Sequence, residues 1–120
     1  MVRTWKLRSV LQWFTEIEKG TKTIEGRLTM EGLQSGDLVE FECFDKHVTK
    51  QVVGVRSYYC FADMLDNEDL AKIMPGIKTI PKAAQIYASW YPFDLQINKQ
   101  VIAIELTDCP KQQSVDITSR

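Results

Sequence analysis

The sequence has no long apolar run, a single histidine, three cysteines and almost no net charge. Each shortage excludes a class of protein. No stretch approaches the 18 or so consecutive apolar residues that read as a membrane-spanning helix, so no membrane partner is expected. The opening Met1-Val2-Arg3-Thr4-Trp5-Lys6 lacks the apolar core of a secretory leader, and a cytoplasmic, reducing setting is the expectation. Cys43, Cys60 and Cys109 are odd in number and spaced for neither a disulfide framework nor a zinc ligand set. They read as small apolar residues in or near strands. No cofactor and no metal are expected. His47 sits among charged neighbours in an expected turn, which disfavours a Cys–His nucleophile pair. A net charge of −1 argues against nonspecific duplex binding by phosphate neutralisation.

What is present is the material of one globular domain. The chain has 120 residues, 44% apolar and 26% charged, enough for a core without staples. The charge is uneven. Residues 1–30 carry six basic and three acidic groups, whereas residues 31–75 carry four and nine. A modestly basic N-terminal surface can attract a single anionic ligand, although a solvated helix and strand edge would look the same.

Patterning predicts the order β, α, β, β, β, α, α, β. Trp5–Arg8 reads as a first strand. Ser9 and Gln12 resemble a capping box ahead of a helix whose stripe is Val10, Phe14 and Ile17 with Trp13, stopped by Gly20. Lys22–Leu28 reads as a strand, and Ser35-Gly36-Asp37 as a turn. Leu38–Phe44 alternates, with its glutamates outward. Asp45-Lys46-His47 is then a turn before a long strand, Val48–Tyr59, in which Gly54 marks a bulge. Phe61–Ile73 reads as helix, ended by Met74-Pro75-Gly76. A second helix opens at Pro81 and runs to Trp90, before Tyr91-Pro92. Gln100–Leu106 is a closing, central strand, and residues 111–120 are a loose tail. These elements suit an α+β fold: a five-stranded mixed barrel with flanking helices.

Within this frame Gly20-Thr21-Lys22-Thr23-Ile24-Glu25-Gly26-Arg27 stands out. Three charges of mixed sign fall on a core strand, where unpaired charge is costly. Glu25 and Arg27 share a face, and Lys22 enters from the helix stop. The plain alternative is an exposed Glu25–Arg27 ion pair.

The helix, the Gly-x-Lys-x-x-Glu-x-Arg strand, the Gly36-Asp37 turn and the closing Val101-Ile102-Ala103-Ile104-Glu105-Leu106 together resemble the ASCH family over residues 3–108. The resemblance implies a barrel related to the PUA domain over residues 1–110, with the motif lining a cleft for RNA or a nucleotide-like molecule. Lys22, Glu25 and Arg27 would be ligand-binding, with Tyr58 and Tyr59 as the leading stacking faces and Trp90 and Tyr91 behind them. The alternative is a small hydrolase, an amidohydrolase of modified nucleosides or a ribonuclease, with Lys22 and Glu25 catalytic in the same cleft. In the branch that hydrolyses N4-acetylcytidine, a threonine stands three positions after the lysine. Here that position is Glu25, and the branch's later glutamate finds no single counterpart, because the helical segment around Glu68 and Asp69 aligns poorly with it. Little hydrolysis is therefore expected.

Overall fold

A computed structural model describes residues 2–92 and 99–110; the expected tail lies outside the described residues. Among the described residues, five strands and four helices follow in the order β1 (Thr4–Arg8), α1 (Leu11–Lys19), β2 (Ile24–Leu28), β3 (Leu38–Cys43), β4 (Lys46–Tyr58), α2 (Phe61–Asn67), α3 (Leu70–Ile73), α4 (Ile80–Trp90) and β5 (Val101–Asp108). The fold is α+β. One mixed sheet runs in the order β1-β3-β4-β5-β2, with β1 and β3 parallel and the other pairs antiparallel. No ladder joins β1 to β2 among the described residues. The sheet is thus a half-barrel with a seam between its two edge strands.

The core has two parts, and β5 divides them. Val101 and Ala103 pack with Trp13, Ile24, Met64, Leu65 and Tyr87 under the helices. Ile102, Ile104 and Leu106 pack with Phe14, Ile17, Val39 and Phe41 inside the curl of the sheet. Alternate side chains of one strand thereby close both cores. No helix among the described residues is long and apolar enough to cross a membrane, and all three cysteines are unpaired.

Several local expectations are corrected. Ser9 does not cap α1: its N–H bonds to Glu42 O, extending the β1–β3 ladder. The N-cap is Val10, without a side-chain bond, and Val10 is 52% exposed rather than in the stripe. The β3–β4 turn is Phe44-Asp45 alone, with Phe44 at φ +56°, so His47 lies in β4 opposite Glu42. The helix expected over Phe61–Ile73 breaks at Glu68 and Asp69, where Asp69 caps α3 by accepting from Ala71 N–H. Other signals hold. Gly20 takes φ +83° at the end of α1, Gly36 turns at φ +97°, and the register of β4 slips between Val52 and Gly54.

Behind the Gly36 turn, the buried Asp37 carboxylate accepts from Arg3 N–H, Trp5 Nε1–H and Gln34 N–H. Burial alone would raise its pKa, but these donors hold it below the usual carboxylate range. The Gly-Asp signal is therefore a clasp between the chain start, the turn and β3.

Candidate functional site

The seam between β1 and β2 is where the motif converges. After α1, the N–H groups of Thr21 and Lys22 both bond to Glu16 O, which directs the Lys22 side chain inward. Its Nζ donates to Ile24 O at 2.8 Å and to Ile73 O, and it lies 3.3 Å from Glu25 Oε1. Three acceptors thus meet the three ammonium protons. One is a carbonyl of the β2 segment and another a C-terminal carbonyl of α3, which has no helical partner. The ammonium also sits 5.9 Å from the Trp13 ring centroid.

Glu25 accepts a 2.5 Å bond from Arg27 Nε through its other oxygen. Arg27 Nη2 reaches across the seam to Arg8 O at 2.6 Å, tying the two sheet edges where no ladder does. Burial lowers the Lys22 pKa, and Glu25 works against that shift; with all three protons bonded, the ammonium is the form this geometry selects. Burial also disfavours a charged Glu25, but Lys22 and Arg27 outweigh it and hold the carboxylate below its ordinary range.

Beside this cluster lies a cavity of about 180 Å³. Lys22, Glu25, Gly26 and Arg27 form its polar wall, and Trp13, Tyr87, Trp90 and Tyr91 its aromatic wall. Arg8, Ser9, Val10 and Met74 complete the lining. The aromatic wall is braced: Phe61 stacks on Tyr87 at 4.2 Å and on Tyr91 at 5.0 Å between ring centroids. Burial drives the Tyr87 phenol well above its ordinary pKa, so it stays neutral. Gly26 is required here, because a Cβ would come within 2.6 Å of Tyr87 Oη and 2.8 Å of Met64 Cε.

The structure therefore brings Lys22, Glu25 and Arg27 to one cavity and leaves Tyr58 and Tyr59 away from it. Tyr58 donates its hydroxyl to Glu68, and Tyr59 is 87% exposed outside the lining. The physical reason is the strand end: β4 finishes beneath α2, on the far side of β5 from β2. Reading the sequence missed Arg8, Trp13, Gly26 and Tyr87, and ranked Trp90 and Tyr91 too low. The one available signal was the Tyr87-x-x-Trp90-Tyr91 spacing at the end of an apolar helix. No cluster of His, Cys, Asp and Glu among the described residues has the form of a metal site.

Solved structures share this architecture. Hypothetical protein PH0355, known from a crystal structure, superposes with a TM-score of 0.80 at 29% identity, covering 88% of this chain and 99% of that one. Protein PF0455 from Pyrococcus furiosus, known from solution NMR, gives a TM-score of 0.68 at 30% identity, covering 86% of this chain and 94% of that one. No family model matches the chain, and no curated protein does. With nearly a third of its residues shared along almost all of PF0455, the chain belongs to the same family as that Pyrococcus furiosus protein.

Proposed function

We propose that this chain is a cytoplasmic, ASCH-type domain that binds RNA or a nucleotide-like ligand, with one base held in the cavity. The observation that carries the reading is a small cavity lined both by aromatics and by an ionised carboxylate set between two cations. Its volume of about 180 Å³ falls below the 300–1,000 Å³ or so of drug-sized pockets. It suits one ring-sized group. A nucleobase offers a flat face for the aromatics and an edge that carries N–H donors. Glu25 has about four acceptor sites. Lys22 and Arg27 take one on each oxygen, leaving lone pairs for a base N–H. Arg8 and Arg27 are placed for phosphate or base-edge acceptors. The resemblance of the motif to the ASCH family, and the three free thiols, support the family and the compartment.

Hydrolysis is less well supported. A Lys22 acting as base or nucleophile needs a free lone pair, and one acting as acid or oxyanion donor needs a free proton, but its three protons are committed to three acceptors. A carboxylate held ionised by two cations is a weak base.

The test is titration of the purified protein with nucleoside monophosphates and short single-stranded RNA, followed by quenching of tryptophan fluorescence. Binding is expected to be weak, with a salt slope of roughly −0.7 per phosphate contacted. Glu25→Gln and Arg27→Gln should each weaken it at least about tenfold, or 1.4 kcal/mol. Unchanged affinity in both variants would overturn the assignment of the site. In parallel, N4-acetylcytidine should yield no cytidine. Turnover that disappears in Lys22→Ala and Glu25→Ala would instead establish the hydrolase.

A further inference from the structure

We infer that the ligand is a single strand of at least two ribonucleotides, in which Trp90 stacks on the base next to the one in the cavity. The inference rests on the nucleotide reading above and concerns the rim rather than the interior.

The cavity has room for one ring-sized group, yet its mouth is built to contact more. Trp90 is the last residue of α4 and lines the cavity, but the residue is 42% exposed. Its contact with Tyr87 is perpendicular, at 5.9 Å between centroids, so Tyr87 does not cover the indole in a parallel stack. Most tryptophans are largely buried, and this one is not. Arg8 lines the same mouth. Its backbone is fixed by the bond from Arg27 to its carbonyl, while its exposed guanidinium makes no ion pair among the described residues. Val10, about half exposed, adds an apolar surface to the same lining.

A held arginine and an open indole at one opening match the two needs of a single strand, phosphate contact and base stacking. The charges fit as well. Arg8, Lys22 and Arg27 against Glu25 leave the lining positive, which favours a polyanion over a neutral or acidic-side-chain peptide. A mononucleotide that fills the cavity would leave the solvent-exposed part of Trp90 uncovered.

The experiment compares the affinity of a ribonucleoside monophosphate with that of the ribodinucleotide carrying the same base. Wild type, Trp90→Ala, Trp90→Phe and Arg8→Gln are measured side by side. Wild type should prefer the dinucleotide by about 5- to 150-fold, the range of one base–aromatic stack. Trp90→Ala should bring the ratio of the two affinities towards one. Trp90→Phe should keep most of the preference, and Arg8→Gln should reduce it and flatten its salt dependence. Equal wild-type affinities for the two ligands, or a ratio that Trp90→Ala leaves intact, would overturn the inference and leave the single-base reading standing. Failure of both ligands to bind wild type would remove that reading and this inference together.

Discussion

Two arginine–glutamate clusters sit on different parts of the same sheet, and they do different things. In the seam, Arg27 and Lys22 each give one donor to Glu25, and a cavity opens beside them. On β4, Arg56 grips Glu68 with two bonds at 2.7 and 2.9 Å and Glu105 with a third at 2.9 Å, while the Tyr58 hydroxyl also donates to Glu68. Glu68 thus meets three donors, one more than Glu25, and does not line the cavity. It fastens the break between α2 and α3 to the sheet. The pairing chemistry is the same, so what separates a brace from a binding site is acceptor capacity left over and space to use it.

Substitutions should separate the two clusters further. The largest effect is expected at Lys22. Lys22→Ala strips three buried acceptors of their partner and should cost about 3–5 kcal/mol in chemical denaturation. Arg56→Ala, whose site water can enter, should cost only about 1 kcal/mol. Equal, small losses would mean that the bonds of Lys22 are not anchors, and would return it to the list of reactive groups.

Next comes the glycine in each cluster. Gly26→Ala must displace Tyr87 and Met64 and should cost about 1–3 kcal/mol, together with nucleotide affinity. Gly54→Ala meets the flexible end of Arg56 at 3.0 Å and Glu105 only in ordinary contact at 3.6 Å, and should cost less than about 1 kcal/mol on the same scale. The reverse order in a thermal-melting comparison would show that the Gly26 approach is not tight.

Acid titration sharpens the comparison. The pKa of Glu25 is depressed because Lys22 and Arg27 outweigh burial, and that of Glu68 chiefly by the hydrogen bonds from Arg56. A depressed carboxylate contributes stability that is fully present above its unfolded value, about 4.3. That contribution fades as pH falls through the folded value. Stability should therefore hold from neutrality to about pH 5 and decline below it. Glu25→Gln should flatten part of that acid limb; an unchanged limb would mean that Glu25 is already protonated in the fold. The smallest effect is expected at Tyr59, where Tyr59→Ala should shift stability by less than about 0.5 kcal/mol and leave nucleotide titrations unchanged. A loss of binding there would extend the site across β5.

Much of the fold was legible because its signals are local. The alternation of β3, the stop at Gly20, the turn at Gly36 and the bulge at Gly54 depend on a few neighbouring residues. The cap at Ser9 was not legible, because a ladder bond to Glu42 captured its N–H. The helix break at Glu68 depends on Arg56, on another element. At the site, the charges of the motif could be read from one strand. The aromatic wall could not, since the face that α4 turns towards β2 is decided by packing against Phe61. Tyr58 and Tyr59 looked suitable by chemistry and were misplaced by topology.

The position of β5 bears on how the chain is made. It is the last strand of the described residues, yet it lies between β4 and β2 and closes both cores. A chain halted before Val101 leaves Ile24, opposite Glu105, and Val52, opposite Leu106, without their neighbours. Neither apolar half can then shut. On a ribosome, β1 to β4 and the helices emerge as a partner-seeking intermediate with two open apolar surfaces. Cooperative closure waits for the synthesis of β5.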